Sequence, residues 1–309
     1  RAQKLILSDG SFSQYSTNYH RVMLDSYSMV EVWRKKLNLS SFSPDLYKKL
    51  QLATNWLYQF TQEKTGDIAN LGANDGARLL PLTATDYRDF RPSVQLASVL
   101  FYKQKAWSND GDWNLPLYWL GIALPTKKLL PQRSFDFNQG GYFGLRAKSN
   151  KAFVMMTYPK FKFRPSQCDA LHVDFWLDGK NLLRDGGTFS YNAGDKYIKY
   201  YGGTESHNTI QFDQCEQMPR LSRFLLGATI SGFKKSAVLR WRLQPGDWKV
   251  EGHSLVNSEH LITVRTDMPI IRFELIQGTE ARYYYHESNI PVLEIEFQQA
   301  GTIITEYKY

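Results

Sequence analysis

The sequence has 309 residues, enough for one large domain or two ordinary ones with their own cores. With 42% apolar and 22% charged residues, and only 21 Gly and 12 Pro, it is not disordered, collagen-like or of low complexity. Lys and Arg outnumber Asp and Glu by 38 to 30, and the resulting +8 fits either a polyanionic partner or simply a basic soluble surface. The basic runs Arg34-Lys35-Lys36 and Lys127-Lys128 are too short for a nucleic-acid-binding arm, so nucleic acid is not expected as a partner. Aromatic residues are abundant (8 Trp, 19 Tyr, 18 Phe), which fills cores and also lines clefts that stack ring-shaped ligands. Cys168 and Cys215 cannot make a disulfide framework and leave the compartment open. No run approaches the roughly 18 apolar residues of a membrane span, so membrane insertion is not expected.

In chain order, residues 1–7 read as the end of a helix already under way, and the chain, opening on Arg1, is expected to be part of a longer protein. Helical spacing from His20 to Leu37 carries Met23, Tyr27 and Val30. Ser43 then caps a helix opening at Pro44, with Leu46, Leu50, Ala53, Leu57 and Phe60 on one face and an end near Gly66. A third helix is predicted from Arg91 to about Trp107, and a shorter apolar piece over 115–124. Beyond Pro131 the period changes. Short β-branched or aromatic runs at 142–146, 152–158, 170–177, 209–212, 228–233, 249–256, 261–265, 270–276, 292–297 and 302–307 are punctuated by Asp-Gly and Gly-Gly turns. The expectation is an α+β chain of two domains: a helical region over 1–130 and an antiparallel β-sandwich over 135–309. The helices carry broad apolar faces that need partners, either the β half or further helices of a larger array.

Three segments can carry chemistry. Asn18, Tyr19, His20 and Arg21 are successive at a helix start, where they either present an amide, a phenol, an imidazole and a guanidinium to a cleft or form an ordinary start capped by Thr17 or Asn18. The Gly-punctuated segment 70–80, with Asn74 and Arg78, suits close ligand approach or a plain turn; it lacks the Gly-Lys-Ser/Thr ending of a phosphate loop. On a strand over 170–177, Ala170, His172 and Asp174 share a face. Asp185-Gly186-Gly187-Thr188 and Ser206-His207-Asn208-Thr209 follow, and two His with an Asp on neighbouring strands make an open N,N,O site for zinc or a similar divalent ion, unless His172 is simply a satisfied core histidine. No serine-hydrolase elbow, zincin motif or dinucleotide fingerprint is present.

Read together, these segments resemble the heparinase II/III-like polysaccharide lyases, which have an N-terminal (α/α) toroid followed by antiparallel β-sheet domains. The stretch from Asp9-Gly10-Ser11-Phe12 to Tyr19-His20 is similar to the family segment bearing a catalytic Tyr on a late toroid helix. Residues 70–80 are similar to its Gly- and Asp-rich loop ending in Arg, and Ser206-His207-Asn208-Thr209 with Asp213 is the most specific match. The resemblance implies a partial toroid, a β-sandwich, and β-elimination on a uronic-acid-containing acidic polysaccharide in a bacterial periplasm or outside the cell. It implies Tyr19 as acid, and as base too in one of the two substrate stereochemistries, Asn18, His20, Arg21, Asn74 and Arg78 as candidates for binding the uronate carboxylate, and one structural divalent metal, zinc by preference, on His172, Asp185 and His207. One position departs from the pattern: many active members carry His-x-His-x-Asp on this strand, and here the first His is Ala170. Either His172 is the base and the metal site is broken, or His172 binds metal and His20 or Tyr19 replaces the base, or the chemistry is lost. In the last case the chain is a non-catalytic binder of acidic polysaccharide in capsule or exopolysaccharide metabolism.

Overall fold

The computed structural model describes residues 2–159, 165–223, 225–227 and 236–308. Two compact units divide the chain, one of residues 1–165 and 176–180 and the other of 166–175 and 181–309. Helix gives way to strand between Leu120 and Ser134, whereas compactness divides the chain further on.

The first unit holds helices α1 (Ala2–Leu5), α2 (Thr17–Lys36), α3 (Pro44–Phe60), α4 (Arg91–Ala97) and α5 (Leu115–Leu120), followed by strands β1 (Ser134–Phe137), β2 (Tyr142–Arg146) and β3 (Ala152–Thr157). Helix α2 starts earlier than its apolar period indicates, and its cap is neither Thr17 nor Asn18. Ser16 is the N-cap, its Oγ accepting the Tyr19 N–H at 3.0 Å. Ser43 and Pro44 open α3 as predicted. The helix predicted to reach Trp107 ends sooner. After α4 the chain makes one π turn over Ser98–Tyr102 and leaves through Lys103 in the left-handed region. The Gln95 side chain then accepts the N–H groups of Ala106 and Trp107, holding that stretch outside any helix.

The strands following α5 supply partners for the helices' apolar faces. Ladders β1–β2 and β2–β3 are antiparallel, and Phe135, Phe137, Tyr142, Phe153 and Met155 share one buried cluster with Leu24, Leu50, Leu57 and Phe60. Trp56 lies at its centre, with ring centroids 4.6 Å from Phe60 and 5.1 Å from Tyr142.

Strands β4 (Val173–Leu177) and β5 (Lys180–Leu183) each have residues in both units. The second unit continues with α6 (Asp195–Gly202), β6 (Ile210–Phe212), β7 (Arg220–Ser222), β8 (Leu225–Leu226), β9 (Ala237–Arg242), β10 (Lys249–Glu251), β11 (Ser254–Val256), β12 (Leu261–Thr266), β13 (Ile270–Tyr283), β14 (His286–Phe297) and β15 (Ile303–Lys308). The run predicted at 249–256 is a hairpin, β10–β11, turning at Gly252 with φ +59°. The strand predicted over 170–177 begins only at Val173, because Leu171 has φ +61°. Ala170 and His172 therefore sit in the turn before it. The strand predicted at 228–233 lies outside the described residues.

Two four-stranded sheets result, β10-β11-β12-β15 and β13-β14-β9-β6, with antiparallel pairing in each. Leu239, Leu293, Ile295 and Phe297 of the second share an apolar cluster with Leu255, Ile262 and Val264 of the first. The alternate residues of β9, β13 and β14, among them Arg240, Arg242, Arg272, Glu274 and Glu294, lie on the opposite face. Among the described residues no helix is long and apolar enough to cross a membrane.

Candidate functional site

In the first unit, segment 69–74 lies along the start of α2. Thr17 Oγ1 donates to the carbonyl of Ala69 at 3.0 Å, Thr17 N–H donates to Leu71 O at 3.2 Å, and Ser16 Oγ donates to Ala73 O at 2.6 Å. Gly72 is required there: with φ +76°, a Cβ would stand 2.0 Å from the Tyr15 carbonyl oxygen. Arg88, which sequence reasoning did not single out, pins the segment from within. Its Nε and Nη2 meet Asp67 Oδ1 at 2.9 and 2.7 Å, and Nη1 meets Asn70 Oδ1 at 2.8 Å.

This docking gathers Asn18, Arg21 and Asn74 around Tyr87, another residue the sequence reading missed. The Tyr87 hydroxyl lies 2.9 Å from both Asn18 Oδ1 and Asn74 Oδ1. Arg21 Nη1 donates to the Tyr87 carbonyl at 2.6 Å and Nη2 to Asn18 Oδ1 at 2.7 Å. Its guanidinium lies 4.5 Å from the Tyr87 ring centroid and 4.2 Å from that of Phe90. Burial pulls its pKa down to about 10, against the opposing charges of Tyr87 and Asp25. Arg21 was expected to be a carboxylate ligand, but this enclosure makes it a group that orients Asn18 and Tyr87. Asn18 is buried, and its Nδ2 has no acceptor. Arg78 is half-buried, its guanidinium on the Thr85 carbonyl and hydroxyl at 3.0 and 3.1 Å. Tyr19 is half-buried.

His20, expected as a proton-transfer or carboxylate-binding group, is a packing residue. It is 1% exposed, stacks on Trp56 with 4.5 Å between centroids, and donates from Nε2 to the Ala53 carbonyl at 2.8 Å. Burial lowers its pKa to about 4, so the ring is neutral near pH 7.

The second unit brings His172, Asp185 and His207 together, all fully or almost fully buried, with one ligand atom from each within 4.8 Å of the others. Asp185 Oδ2 stands 2.8 Å from His207 Nδ1 and 3.6 Å from His172 Nε2. His172 Nε2 also lies 3.3 Å from Asp174 Oδ2, and its Nδ1 accepts the Asn208 backbone N–H at 3.0 Å. That N–H assigns the proton of a neutral His172 ring to Nε2, aimed at the carboxylates. Burial alone would lower the His172 pKa, but the charges of Asp185, Asp174 and Asp169 outweigh it and raise it. Asp185 is held below its ordinary value against burial by His207 and His172. These hydrogen bonds satisfy the cluster as it stands; two imidazoles with one carboxylate are also a donor set that suits zinc, provided that a His172 ring ligating through Nε2 moves its proton to Nδ1 and gives up the hydrogen bond from the Asn208 N–H. Ala170 donates its N–H to Gln217 Oε1 and accepts from Thr209 Oγ1, so its place in the turn is fixed by backbone contacts.

The family description "Heparinase II/III-like, C-terminal" matches residues 130–268. Among solved structures, heparinase III is 14% identical with a TM-score of 0.70, the match covering 99% of this chain and 55% of that one. Heparan sulfate lyase HepC from Pedobacter heparinus is 14% identical with a TM-score of 0.68, covering 98% and 52%. At this identity the likeness is one of fold, and the chain spans little more than half the length of these relatives. No curated protein matches it. By sequence over residues 130–268 and by fold over nearly all of its length, this chain resembles the heparinase II/III-like polysaccharide lyases.

Proposed function

We propose that this chain is the C-terminal part of a polysaccharide lyase that cleaves a uronic-acid-containing polysaccharide by β-elimination, in the periplasm or outside the cell. In this reading the helices are the closing members of an (α/α) toroid, and the two sheets that share an apolar cluster are its β-sandwich. The observation that carries the reading is the convergence of Asn18, Asn74 and Arg21 on Tyr87, built by one Gly-dependent segment docked on the start of α2, the helix that carries Tyr19.

The reaction needs the uronate carboxylate neutralised so that its C5 proton becomes acidic. A base then takes that proton, the C5 electron pair forms the C4–C5 double bond, the C4–O bond breaks, and an acid protonates the departing oxygen. The Asn18 amide, with a buried Nδ2 that has no acceptor, is the donor we assign to the carboxylate, with Arg78 supplying charge. His20 is neutral with its proton engaged, and His172 is fully buried with both ring nitrogens engaged, which leaves Tyr19 to serve as acid and base. His172, Asp185 and His207 would hold a zinc ion whose contribution is structural, tying three chain segments together.

The test is incubation of the full-length protein with heparan, chondroitin, alginate and bacterial exopolysaccharides, following the ultraviolet absorbance of new unsaturated uronate. A rise that Tyr19→Phe abolishes supports the lyase. Ala170 favours a second reading, a non-catalytic binder of acidic polysaccharide, and this is the reading left if a folded full-length protein binds these polymers without producing a rise.

A further inference from the structure

The polar face of the β13-β14-β9 sheet carries an uneven distribution of charge. Arg240 is paired with Glu294 at 2.6 Å, and Arg272 reaches Glu274, Glu294 and Glu296 at 2.6, 3.1 and 3.3 Å. One row further along, Arg242 lies opposite Val292, which is itself paired with Ile276. Among the described residues Arg242 makes no ion pair with a carboxylate. Its contacts are neutral: Nη1 donates to the Tyr200 hydroxyl at 3.2 Å and the Glu205 carbonyl at 3.4 Å, Nη2 donates to the Thr279 carbonyl, and Nε has no acceptor. The residue is 1% exposed. A buried guanidinium without a counter-charge is expensive to keep unless something else neutralises it.

A cavity of about 180 Å³ lies against this group, with buried Arg240, Arg242 and Val292 in its lining and exposed Glu205 and Gln277 among its outer residues. Gly278 helps to create it, since a Cβ there would come 2.6 Å from Val292 Cγ2 and 3.5 Å from Arg242 Nη1. The space is smaller than the roughly 300–1,000 Å³ of pockets that enclose whole drug-sized ligands, and suits one charged group rather than a complete sugar chain.

We infer that this cavity is an oxyanion-binding site, in which the Arg242 guanidinium takes a sulfate or carboxylate group, with the Tyr200 hydroxyl beside it. Fork-like donors on a planar cation match the geometry of both groups. Identifying the natural occupant as a sulfate ester or uronate of an acidic glycan rests on the proposed function, whereas binding of the free ion does not. Glu205, an exposed residue of the lining, carries a negative charge that opposes an anion.

Isothermal titration of the full chain with sodium sulfate and with sodium glucuronate, at constant ionic strength set by sodium chloride, tests the site. Because sulfate stabilises most proteins by exclusion from their surfaces, variants read the site rather than the bulk effect. Arg242→Met is expected to weaken binding by at least about thirtyfold, the loss of a buried charged partner. Two surface changes that leave the sheet intact give opposite signs: Glu205→Gln tightens binding and Gln277→Glu weakens it, each by about fivefold. Tighter sulfate than glucuronate identifies a sulfate-ester site, and the reverse a uronate site. The inference is overturned if the wild type binds neither probe, or if all three variants bind as the wild type does. A protein that binds sulfate here yet cleaves no polysaccharide refutes the lyase reading alone.

Discussion

Asp25 and His20, both in α2 and both buried, make the stability of this protein respond to pH in opposite directions. Neither oxygen of Asp25 meets a donor in good hydrogen-bond geometry. Burial lifts its pKa from 3.8 to about 6, against weaker pulls from Ser93, Arg21 and Arg78. A carboxyl whose pKa is raised on folding contributes stability that is complete below pH 3.8 and is lost as pH rises through 6. The gap corresponds to about 3 kcal/mol at about 1.4 kcal/mol per pH unit. His20 shifts the other way, from 6.5 to about 4 through burial, so its contribution is complete above pH 6.5 and is lost as pH falls through 4, again by about 3 kcal/mol. Between pH 4 and 6 the two nearly cancel in the wild type, and single substitutions should unmask them. From pH 4 to 7, the stability of Asp25→Asn relative to wild type should improve by about 3 kcal/mol, and that of His20→Gln should worsen by about as much. Urea unfolding followed by tryptophan fluorescence, with Trp56 stacked on His20 as an internal reporter, measures both. A difference for Asp25→Asn that stays constant from pH 4 to 7 would refute the reasoning.

Three further outcomes are expected. Gly72→Ala and Gly121→Ala both place a side chain at positive φ, costing about 1–2 kcal/mol, but only Gly72 faces backbone, and Gly121 has open space around it. Urea midpoints should therefore fall further for Gly72→Ala, and equal effects would contradict the close docking of segment 69–74. Removing Arg88 leaves Asp67 buried without its main partner, so Arg88→Met should destabilise by about 3–5 kcal/mol, and Asp67→Asn in the same chain should recover part of it; strictly additive losses in a double-mutant cycle would refute the pairing. Elemental analysis of protein purified with zinc present should find the metal in wild type and not in His207→Ala, and a folded wild type without zinc would end the metal reading.

The sequence reading found elements where local chemistry is decisive and lost them where distant contacts decide. Ser43-Pro44 announces α3 because cap and fixed φ act within one turn. Strand β9 went unread because Arg240 and Arg242 interrupt an apolar run, and only pairing with β14 explains them. In β13 and β14, residues 277–280 look like turn residues, yet cross-strand pairing carries the hairpin on to Tyr283 and His286. The grouping of His172, Asp185 and His207 was legible from the family resemblance rather than from spacing, whereas the burial of His20 was not legible at all: Trp56 and Ala53 cover it from α3, and nothing near position 20 signals that. Tyr87 and Arg88 escaped notice for the same reason, since their partners are fixed by tertiary docking.

The alternation along β9, β13 and β14 also acts on folding. Side chains in a strand change face at every residue, so a slip of β14 by one position against β13 and β9 would carry Glu294 into the apolar layer and expel Leu293 and Ile295 from it. A slip of two would restore the faces but break the match of Arg240 with Glu294. Mispaired hairpins of this sheet are thus penalised at every small offset, and insertions within the strands should be far less tolerated than insertions at the Tyr283–His286 turn, where Tyr285 already takes up a positive φ.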